Sequence, residues 1–327
     1  MADAVLSDDI LMTLAGTAYG SPAKIPGYLT QAQPVADWKV IWMPEVPDAP
    51  PNFAFMAIGP EGQAVVAIRG TYPDPFSSAY WEDGNQDSPF GDMVDWPGAN
   101  GAKISGGTNE GFSNLLELKD SKGTSLEQAV ANLPSDASVT VTGHSLGGTL
   151  TPVLALKLVG NEPERAVFAT SYAGMTPGNS KFAALFGPGT ALDAKVRRVY
   201  NTIDSVGYGW DRVFATHSFF DPAPKGGDVV AALLLATEAR LKLGGYDYTA
   251  IGEPVPLDGV VRPPEISCNL VAYVFETLHQ HMPDTYLSLL GAPPLPFSIL
   301  FGTLVAPKSN LSATSSPSHH FPVVHLG

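Results

Sequence analysis

One serine between two glycines has the surroundings in this chain that best fit chemistry. Ser145 stands in "ASVTVTGHSLGGTLTPVLALKLVG", residues 137–160, where a β-branched run ends at Gly143 and a helical pattern follows at once. The pentapeptide Gly143-His144-Ser145-Leu146-Gly147 fits G-x-S-x-G between a predicted strand and a predicted helix. Flanking glycines permit a tight, strained turn that points the serine Oγ out of the sheet. A serine that only capped the helix would not need them, so we predict that Ser145 is a nucleophile.

A serine hydroxyl becomes a good nucleophile only with a base and with an acid that orients the base, and both should follow the serine. Asp204 ends the strand-like run "VRRVYNTID", residues 196–204. Its place is the carboxyl end of a strand, where ligand sites of open α/β sheets lie. Asp211 and Asp221 are alternatives further from the strand end, and an aspartate at any of these places could simply cap a turn. We predict that Asp204 is the acid.

Histidine is the expected base, and the chain has seven. His279 and His281, in "FETLHQHMPDTYLSLLG", come late enough for the order serine, acid, histidine. Two histidines spaced by one could also bind a metal, but no nearby cysteine or acidic cluster supports such a site, and we expect neither metal nor cofactor. Spacing alone leaves both residues open. The other five histidines are His144, whose side chain should point away from Oγ, His217, and the tail residues His319, His320 and His325.

Two backbone N–H groups are candidates for binding the negative charge that develops on the substrate oxygen. One is the N–H of Leu146, the residue after the nucleophile. The other is the N–H of Thr71, since "AVVAIRGT", residues 64–71, is an earlier strand-like run that ends in Arg-Gly-Thr. The Thr71 hydroxyl is a further candidate donor. We therefore predict Thr71 and Leu146 as the oxyanion hole.

Strands and helices alternate along the part of the chain that must position these residues. Runs at 37–43, 52–59 and 64–71 predict strands, and from residue 111 helical patterns alternate with strands at 137–142, 166–173 and 196–203. Thr124 and Glu127 have the spacing of a capping box for one helix, and another is predicted over 228–243. This alternation predicts an α/β fold with a mostly parallel central sheet flanked by helices. We expect one domain over residues 1–327, with a loose tail at 310–327.

Composition excludes several classes of protein. The formal charge of −14 disfavours nucleic acid and anionic membranes as partners. Hydrophobic residues make up 44% of the chain and charged residues 15%, which is typical of a folded protein and not of a disordered one. The single cysteine, Cys268, excludes an intramolecular disulfide. Asp8 and Asp9 interrupt the first apolar run, and no segment is long enough to span a bilayer, so we expect a soluble protein without a cleaved signal, either cytoplasmic or exported by a signal-independent route.

Together these segments resemble the class 3, fungal-type triacylglycerol lipases, which have the α/β-hydrolase fold. The residues that carry the resemblance are "VVAIRGT", "EGFSNLL", "VTVTGHSLGG", "VYNTIDSV" and "HMPDTYL". In that family a tyrosine often follows the catalytic histidine at the spacing of His281 to Tyr286, and the resemblance therefore implies His281 rather than His279. It also implies a lid-like excursion after the oxyanion strand, at residues 72–100. The aromatic residues that fit a lid are Tyr72, Phe76, Tyr80, Trp81, Phe90 and Trp96.

The resemblance implies a serine carboxylester hydrolase that acts on triacylglycerols or related lipid esters, with an oil–water interface as the expected place of action. Alternatives within the same chemistry are an esterase of short-chain or aromatic (feruloyl-type) esters and a phospholipase, because fold does not set substrate. A non-catalytic binding module is the alternative from another class. Acyl-chain length and oligomeric state cannot be read from the sequence.

Overall fold

A seven-stranded sheet forms the centre of the computed structural model, which describes residues 6–47, 50–72, 83–263, 266–300 and 303–307. The order of its strands is β1-β2-β3-β6-β7-β8-β9. Two small two-stranded sheets, β4-β5 and β10-β11, lie outside it. The strands are β1 Lys39–Trp42, β2 Ala54–Ile58, β3 Ala64–Ile68, β4 Met93–Asp95, β5 Lys103–Ser105, β6 Val139–His144, β7 Val167–Tyr172, β8 Val196–Asn201, β9 Glu253–Leu257, β10 Phe297–Leu300 and β11 Thr303–Pro307.

The pairing in the central sheet changes direction at β3. Strands β1, β2 and β3 pair antiparallel, whereas β3, β6, β7, β8 and β9 pair parallel. Every residue of β3 and of β6 is buried, as expected for strands covered on both faces. The predicted α/β fold with a mostly parallel sheet is confirmed, and the parallel strands bring their carboxyl ends to one edge.

Helices cover both faces of the sheet. One core lies under α5 and the other beneath α1, α2 and α9. Asp8 of α1 is tied to the sheet because it accepts hydrogen bonds from Arg197 and from the Tyr172 hydroxyl at 2.8 Å each. The helices are α1 Asp8–Thr17, α2 Ile25–Gln31, α3 Gly106–Glu117, α4 Leu126–Ala131, α5 Leu146–Asn161, α6 Ser180–Ala183, α7 Gly227–Leu243, α8 Asn269–His281 and α9 Pro283–Leu289.

One local expectation is corrected, and two features of the structure have no counterpart in the sequence predictions. The capping box of α4 uses Ser125 and Gln128, one residue later than predicted, because the Thr124 N–H is already bonded to Asp120 and the helix starts beyond it. The β4–β5 hairpin begins inside the excursion at residues 72–100 and ends beyond it, and its three-residue strands are too short to show alternation. Helix α8 was not predicted, although its last residue is His281.

Among the described residues, no helix is long and apolar enough to cross a membrane.

Candidate active site

Ser145 occupies a strained turn between β6 and α5. Its backbone has φ 60° and ψ −126°, a conformation that side-chain-bearing residues rarely adopt. The neighbouring glycines are required by close contacts. A Cβ on Gly143 would lie 2.4 Å from the Gly147 carbonyl oxygen, and a Cβ on Gly147 would lie 2.3 Å from the Ile68 oxygen. The turn at residues 143–147, called the elbow below, therefore packs directly against the end of β3. Only glycine fits at positions 143 and 147.

A hydrogen-bond chain joins Ser145, His281 and Asp204. His281 Nε2 lies 2.8 Å from Ser145 Oγ, and His281 Nδ1 lies 2.9 Å from Asp204 Oδ2. A carboxylate only accepts, so Nδ1 carries the proton and the Nε2 lone pair faces the serine hydroxyl. The structure thus brings together the three residues predicted as nucleophile, acid and base, and their order along the chain is the expected one. Their catalytic roles stay a prediction.

The Asp204 carboxylate is fully buried and held by three donors. Oδ2 accepts from His281 Nδ1 and from the Tyr286 hydroxyl at 2.8 Å, and Oδ1 accepts from the Val206 N–H at 3.0 Å. Tyr286 in turn accepts from the Asn201 N–H at the end of β8. This arrangement fixes the carboxylate relative to the sheet and aims one oxygen at the imidazole.

His144 links the elbow to the C-terminal end of helix α8, which carries His281. Its Nε2 lies 2.8 Å from the His281 carbonyl oxygen, so Nε2 donates, and its Nδ1 accepts from the Tyr19 hydroxyl at 2.9 Å. Burial, together with the nearby His281, lowers the pKa of His144 well below its ordinary value. A neutral His144 with the proton on Nε2 satisfies both contacts. Both ring nitrogens of His144 thus contact groups other than Ser145 Oγ.

The environment of His281 favours its protonated form. Burial alone would lower the pKa of this imidazole, but the charge and the hydrogen bond of Asp204 and the charge of Asp87 outweigh burial, and the net pKa is raised. A base of this kind accepts a proton from the serine more readily than a free imidazole. The side chain is 18% exposed, so a substrate can reach it.

The end of β3 approaches the elbow through Gly70. A Cβ on Gly70 would lie 2.0 Å from the Tyr19 hydroxyl and 2.5 Å from the His144 carbonyl oxygen. Thr71 follows, and its hydroxyl donates to Asp87 Oδ2 at 2.9 Å. Leu146 opens α5, where N–H groups have no acceptor within the helix. The two residues predicted for the oxyanion hole thus flank the strand end and the elbow that meet at Ser145.

Replacing Gly70 with alanine is expected to damage this junction. The added methyl group collides with a backbone carbonyl next to Ser145, so the strand end must move by several tenths of an ångström. A misplacement of about 1 Å can cost about 10² in rate, so we expect a loss in kcat on that order. The measurement is kcat on a soluble ester. Gly160→Ala, where an added Cβ meets nothing within 4 Å, should retain full activity, and equal activity of the two variants would contradict the packing argument.

A buried polar cluster anchors the chain on both sides of residues 73–82. The Arg69 guanidinium lies 3.1 Å from Asp83 Oδ2, which also accepts from the Tyr72 N–H at 2.9 Å. Asp83 Oδ1 accepts from the Asn52 N–H. The Asn52 and Gln86 amides exchange two hydrogen bonds at 2.8 and 2.9 Å. These contacts therefore hold in place the backbone on both sides of Thr71, at Arg69 and Tyr72.

Asp87 should make the stability of the protein depend on pH. Burial is the main cause that raises the pKa of Asp87 to about 7, so its ionised form is disfavoured in the folded state. A raised carboxyl pKa contributes stability that is present at low pH and is lost as pH rises through about 7. We expect Asp87→Asn to match wild type near pH 4 and to be more stable near pH 8 by on the order of 1–3 kcal/mol.

Thermal unfolding of both proteins at pH 4 and pH 8 measures this difference. Asp136→Asn, at an exposed position, is the matched control. A stability gap between Asp87→Asn and wild type that is the same at both pH values would contradict the assignment.

Several predicted candidates lie away from the junction. His217 is exposed and stacks on Phe214, and the His279 side chain makes neither of the two triad contacts. Asp211 lies beside Arg212, 3.4 Å from its guanidinium. Asp221 is 3.9 Å from the Lys225 ammonium group. The tail histidines His319, His320 and His325 are outside the described residues.

The predicted lid aromatics fall into two groups. Phe76, Tyr80 and Trp81 lie outside the described residues. Of the others, Tyr72 is buried with the Arg69 guanidinium 4.9 Å from its ring, and Trp96 packs on Phe112 and Phe182. Phe90 lies under Arg240 of α7. The excursion is therefore packed into the protein at these described points, and the lid role of residues 72–100 stays a prediction.

Two residues at the site had no signal in the sequence. Tyr19 comes from the turn after α1, and Asp87 stands among other acidic residues of the excursion. Neither has a characteristic spacing from Ser145. Only the folded chain brings them to the elbow and to Thr71.

The sequence profile of the lipase (class 3) family matches residues 65–208, which include β3, the elbow and Asp204. No curated protein sequence matches the chain.

Among solved structures, M37 lipase superposes with a TM-score of 0.68 at 25% identity, over 88% of this chain and 93% of that one. A triacylglycerol lipase from Penicillium expansum (TM-score 0.47, 16% identity, 92% and 96% covered) and a Rhizomucor miehei lipase propeptide complex (TM-score 0.45, 23% identity, 61% and 60% covered) are also similar. Residues 65–208 of this chain are thus similar to the lipase (class 3) family, and the chain has the α/β-hydrolase fold that it shares with M37 lipase.

Proposed function

We propose that this chain hydrolyses lipid carboxylesters, acylglycerols foremost, through an acyl-enzyme on Ser145. The observation that carries the proposal is the unbroken hydrogen-bond chain from Ser145 through His281 to Asp204. The similarity of residues 65–208 to the lipase (class 3) family supports lipid esters as the substrate class. A binding module without catalysis would have no need for a buried carboxylate aligned on an imidazole, so this alternative explains the geometry less well.

The first half of the reaction forms the acyl-enzyme. Ser145 Oγ attacks the ester carbonyl carbon while His281 Nε2 takes its proton, and Asp204 stabilises the resulting imidazolium through Nδ1–H. The tetrahedral intermediate then collapses, the bond to the alcohol oxygen breaks, and His281 gives the proton to the leaving alcohol. The elbow contributes by holding Oγ in line with Nε2 before the substrate arrives.

The N–H groups of Leu146 and Thr71 would bind the oxyanion. Supporting this are the place of Leu146 as the first residue of α5 and the contact of the β3 end with the elbow through Gly70. The hydrogen bond from the Thr71 hydroxyl to Asp87 fixes the orientation of the Thr71 side chain. Donors of this kind are worth about 10²–10³ in kcat each.

The second half of the reaction hydrolyses the acyl-enzyme. His281 Nε2 takes a proton from water, the hydroxide oxygen attacks the acyl carbon, and the bond to Ser145 Oγ breaks as the proton returns to the serine. The products are a fatty acid and the regenerated hydroxyl group.

Fatty-acid release from an emulsified long-chain triglyceride tests the proposal. Wild type should release fatty acid, and Ser145→Ala should release none above the background. A fluorophosphonate probe should label wild type and not the variant. Labelling without release from the emulsion would support a short-chain or aromatic esterase or a phospholipase instead. Absence of both would sink the hydrolase assignment.

A further inference from the structure

Helix α7 exposes apolar side chains that folded proteins normally bury. Residues 229–237 contain no charged residue, yet Leu233 and Leu235 are 64% and 55% exposed. Leu241 is the buried residue of this helix. A helix that is apolar on all sides is normally covered. The exposed face of α7 is therefore expected to meet an apolar surface.

Helix α8 carries a second apolar face. Val271 and Val274 are 40% and 49% exposed, whereas Tyr273, Glu276 and Gln280 are buried on the other side of the helix. Glu276 is the acidic residue of α8, and it is bound to Arg262 at 3.0 Å. The outward face of α8 is consequently without charge.

The exposed face of α8 leads to the candidate active site. Residues 271, 274, 278 and 281 follow one another at intervals of three and four, so they share one side of the helix. The last of them is His281, whose imidazole is bonded to Ser145. The apolar face of α8 thus continues to the residue that must meet the ester.

Both helices pack on the same segment, residues 213–220. Glu238 of α7 accepts from the Phe214 N–H at 3.0 Å, and Tyr273 of α8 contacts the ring of Phe220 at 5.2 Å between centroids. The guanidinium of Arg240, in the last turn of α7, lies 3.9 Å above Phe90. Phe90 stands three residues after Asp87, which binds Thr71. Helix α7 therefore contacts Phe90, which belongs to the excursion at residues 72–100.

We propose that the outward faces of these two helices form a docking face that seats the enzyme on an uncharged lipid–water surface. This inference rests on the proposed function, because the face is continuous with the residue that would act on the ester. The chain's charge of −14 disfavours an anionic membrane. The uncharged stretch 229–237 of α7, which lies between Asp228 and Glu238, and the uncharged outward face of α8 fit neutral acylglycerol. The docking face consists of Val229, Leu233, Leu235, Leu270, Val271 and Val274.

Droplet flotation in the inactive Ser145→Ala background tests docking separately from catalysis. The variants are Leu233→Ser/Leu235→Ser on α7 and Val271→Ser/Val274→Ser on α8. Each should lower partitioning onto triolein droplets at least about tenfold, because exposed apolar area would no longer be buried in lipid. The control is Ile41→Ser on β1, a 43% exposed residue on the far edge strand of the sheet, and it should partition like the parent.

In the chain that retains Ser145, the α7 variant should hydrolyse soluble p-nitrophenyl acetate within about twofold of wild type, since α7 supplies none of the hydrogen bonds that hold the triad together. Its rate on emulsified triolein should fall with its partitioning. Unchanged flotation, or an equal loss with Ile41→Ser, would overturn the proposal. A dimer in sedimentation that the α7 variant dissociates would assign the face to a second copy and overturn it too. If wild type cleaved no ester, the proposed function would fail while the flotation result still decided docking.

Discussion

Replacing His281 with alanine is expected to lower kcat/KM for ester hydrolysis by about 10⁴–10⁶. The imidazole is the group within hydrogen-bond reach of both Ser145 Oγ and Asp204 Oδ2, at 2.8 and 2.9 Å. Without it the hydroxyl keeps its proton in the attack, and the leaving alcohol receives none. Hydrolysis of p-nitrophenyl butyrate by folded protein, checked by circular dichroism, gives the measurement.

His279→Ala is the matched control for this prediction. The contacts of residue 279 with Thr285 and Met282 use its backbone oxygen, which alanine retains. Its activity should stay within about tenfold of wild type, as for a substitution outside the triad. An inactive His279 variant beside an active His281 variant would reverse the assignment and would require a different state of the site.

The elbow could be predicted because its causes are local in sequence. A buried strand, a glycine-bracketed serine and a helix lie within residues 137–160, and Gly143 and Gly147 each have a contact that excludes a side chain. Asp204 has a similarly local signal, since β8 ends at Asn201 and Asp204 lies in the turn that follows. Strand ends of a parallel sheet meet at one edge, so neighbours in this pattern become neighbours in space.

The histidine could not be fixed from the residues alone. Helix α8 has a buried face that is partly polar, with Glu276 and Gln280, and an exposed face that is apolar. Helices are predicted from the spacing of apolar residues that face the core, and this helix has polar residues on its buried face, so the pattern does not reveal it. Only the resemblance to class 3 lipases separated His281 from His279. Tyr19 and Asp87 were missed for a related reason, since their partners lie in other segments.

Asp204→Asn is the second substitution with a large expected effect. Three donors face the two carboxylate oxygens, from His281, Tyr286 and Val206. The NH₂ group of asparagine is itself a donor, so it must face at least one of these three donors without forming a hydrogen bond. It faces only one when it turns toward the Val206 N–H, and its carbonyl oxygen then accepts from His281 and Tyr286. The imidazole tautomer then survives, but the negative charge that stabilises the imidazolium is lost. We expect kcat to fall by about 10²–10⁴, where the upper value would indicate that the tautomer is lost as well.

The pH profile distinguishes this loss of charge from a loss of structure. Burial lowers the pKa of His281, and Asp204 is the main group that raises it. Asp204→Asn should therefore move the acid limb of kcat/KM to lower pH, because the imidazole stays neutral further into acid. Tyr286→Phe is the control, since it removes one donor and leaves the charge. It should cost about 1–3 kcal/mol of stability through the Asn201 N–H left without its partner, and leave the acid limb in place. If the acid limb does not move in Asp204→Asn, then Asp204 does not raise the pKa of His281.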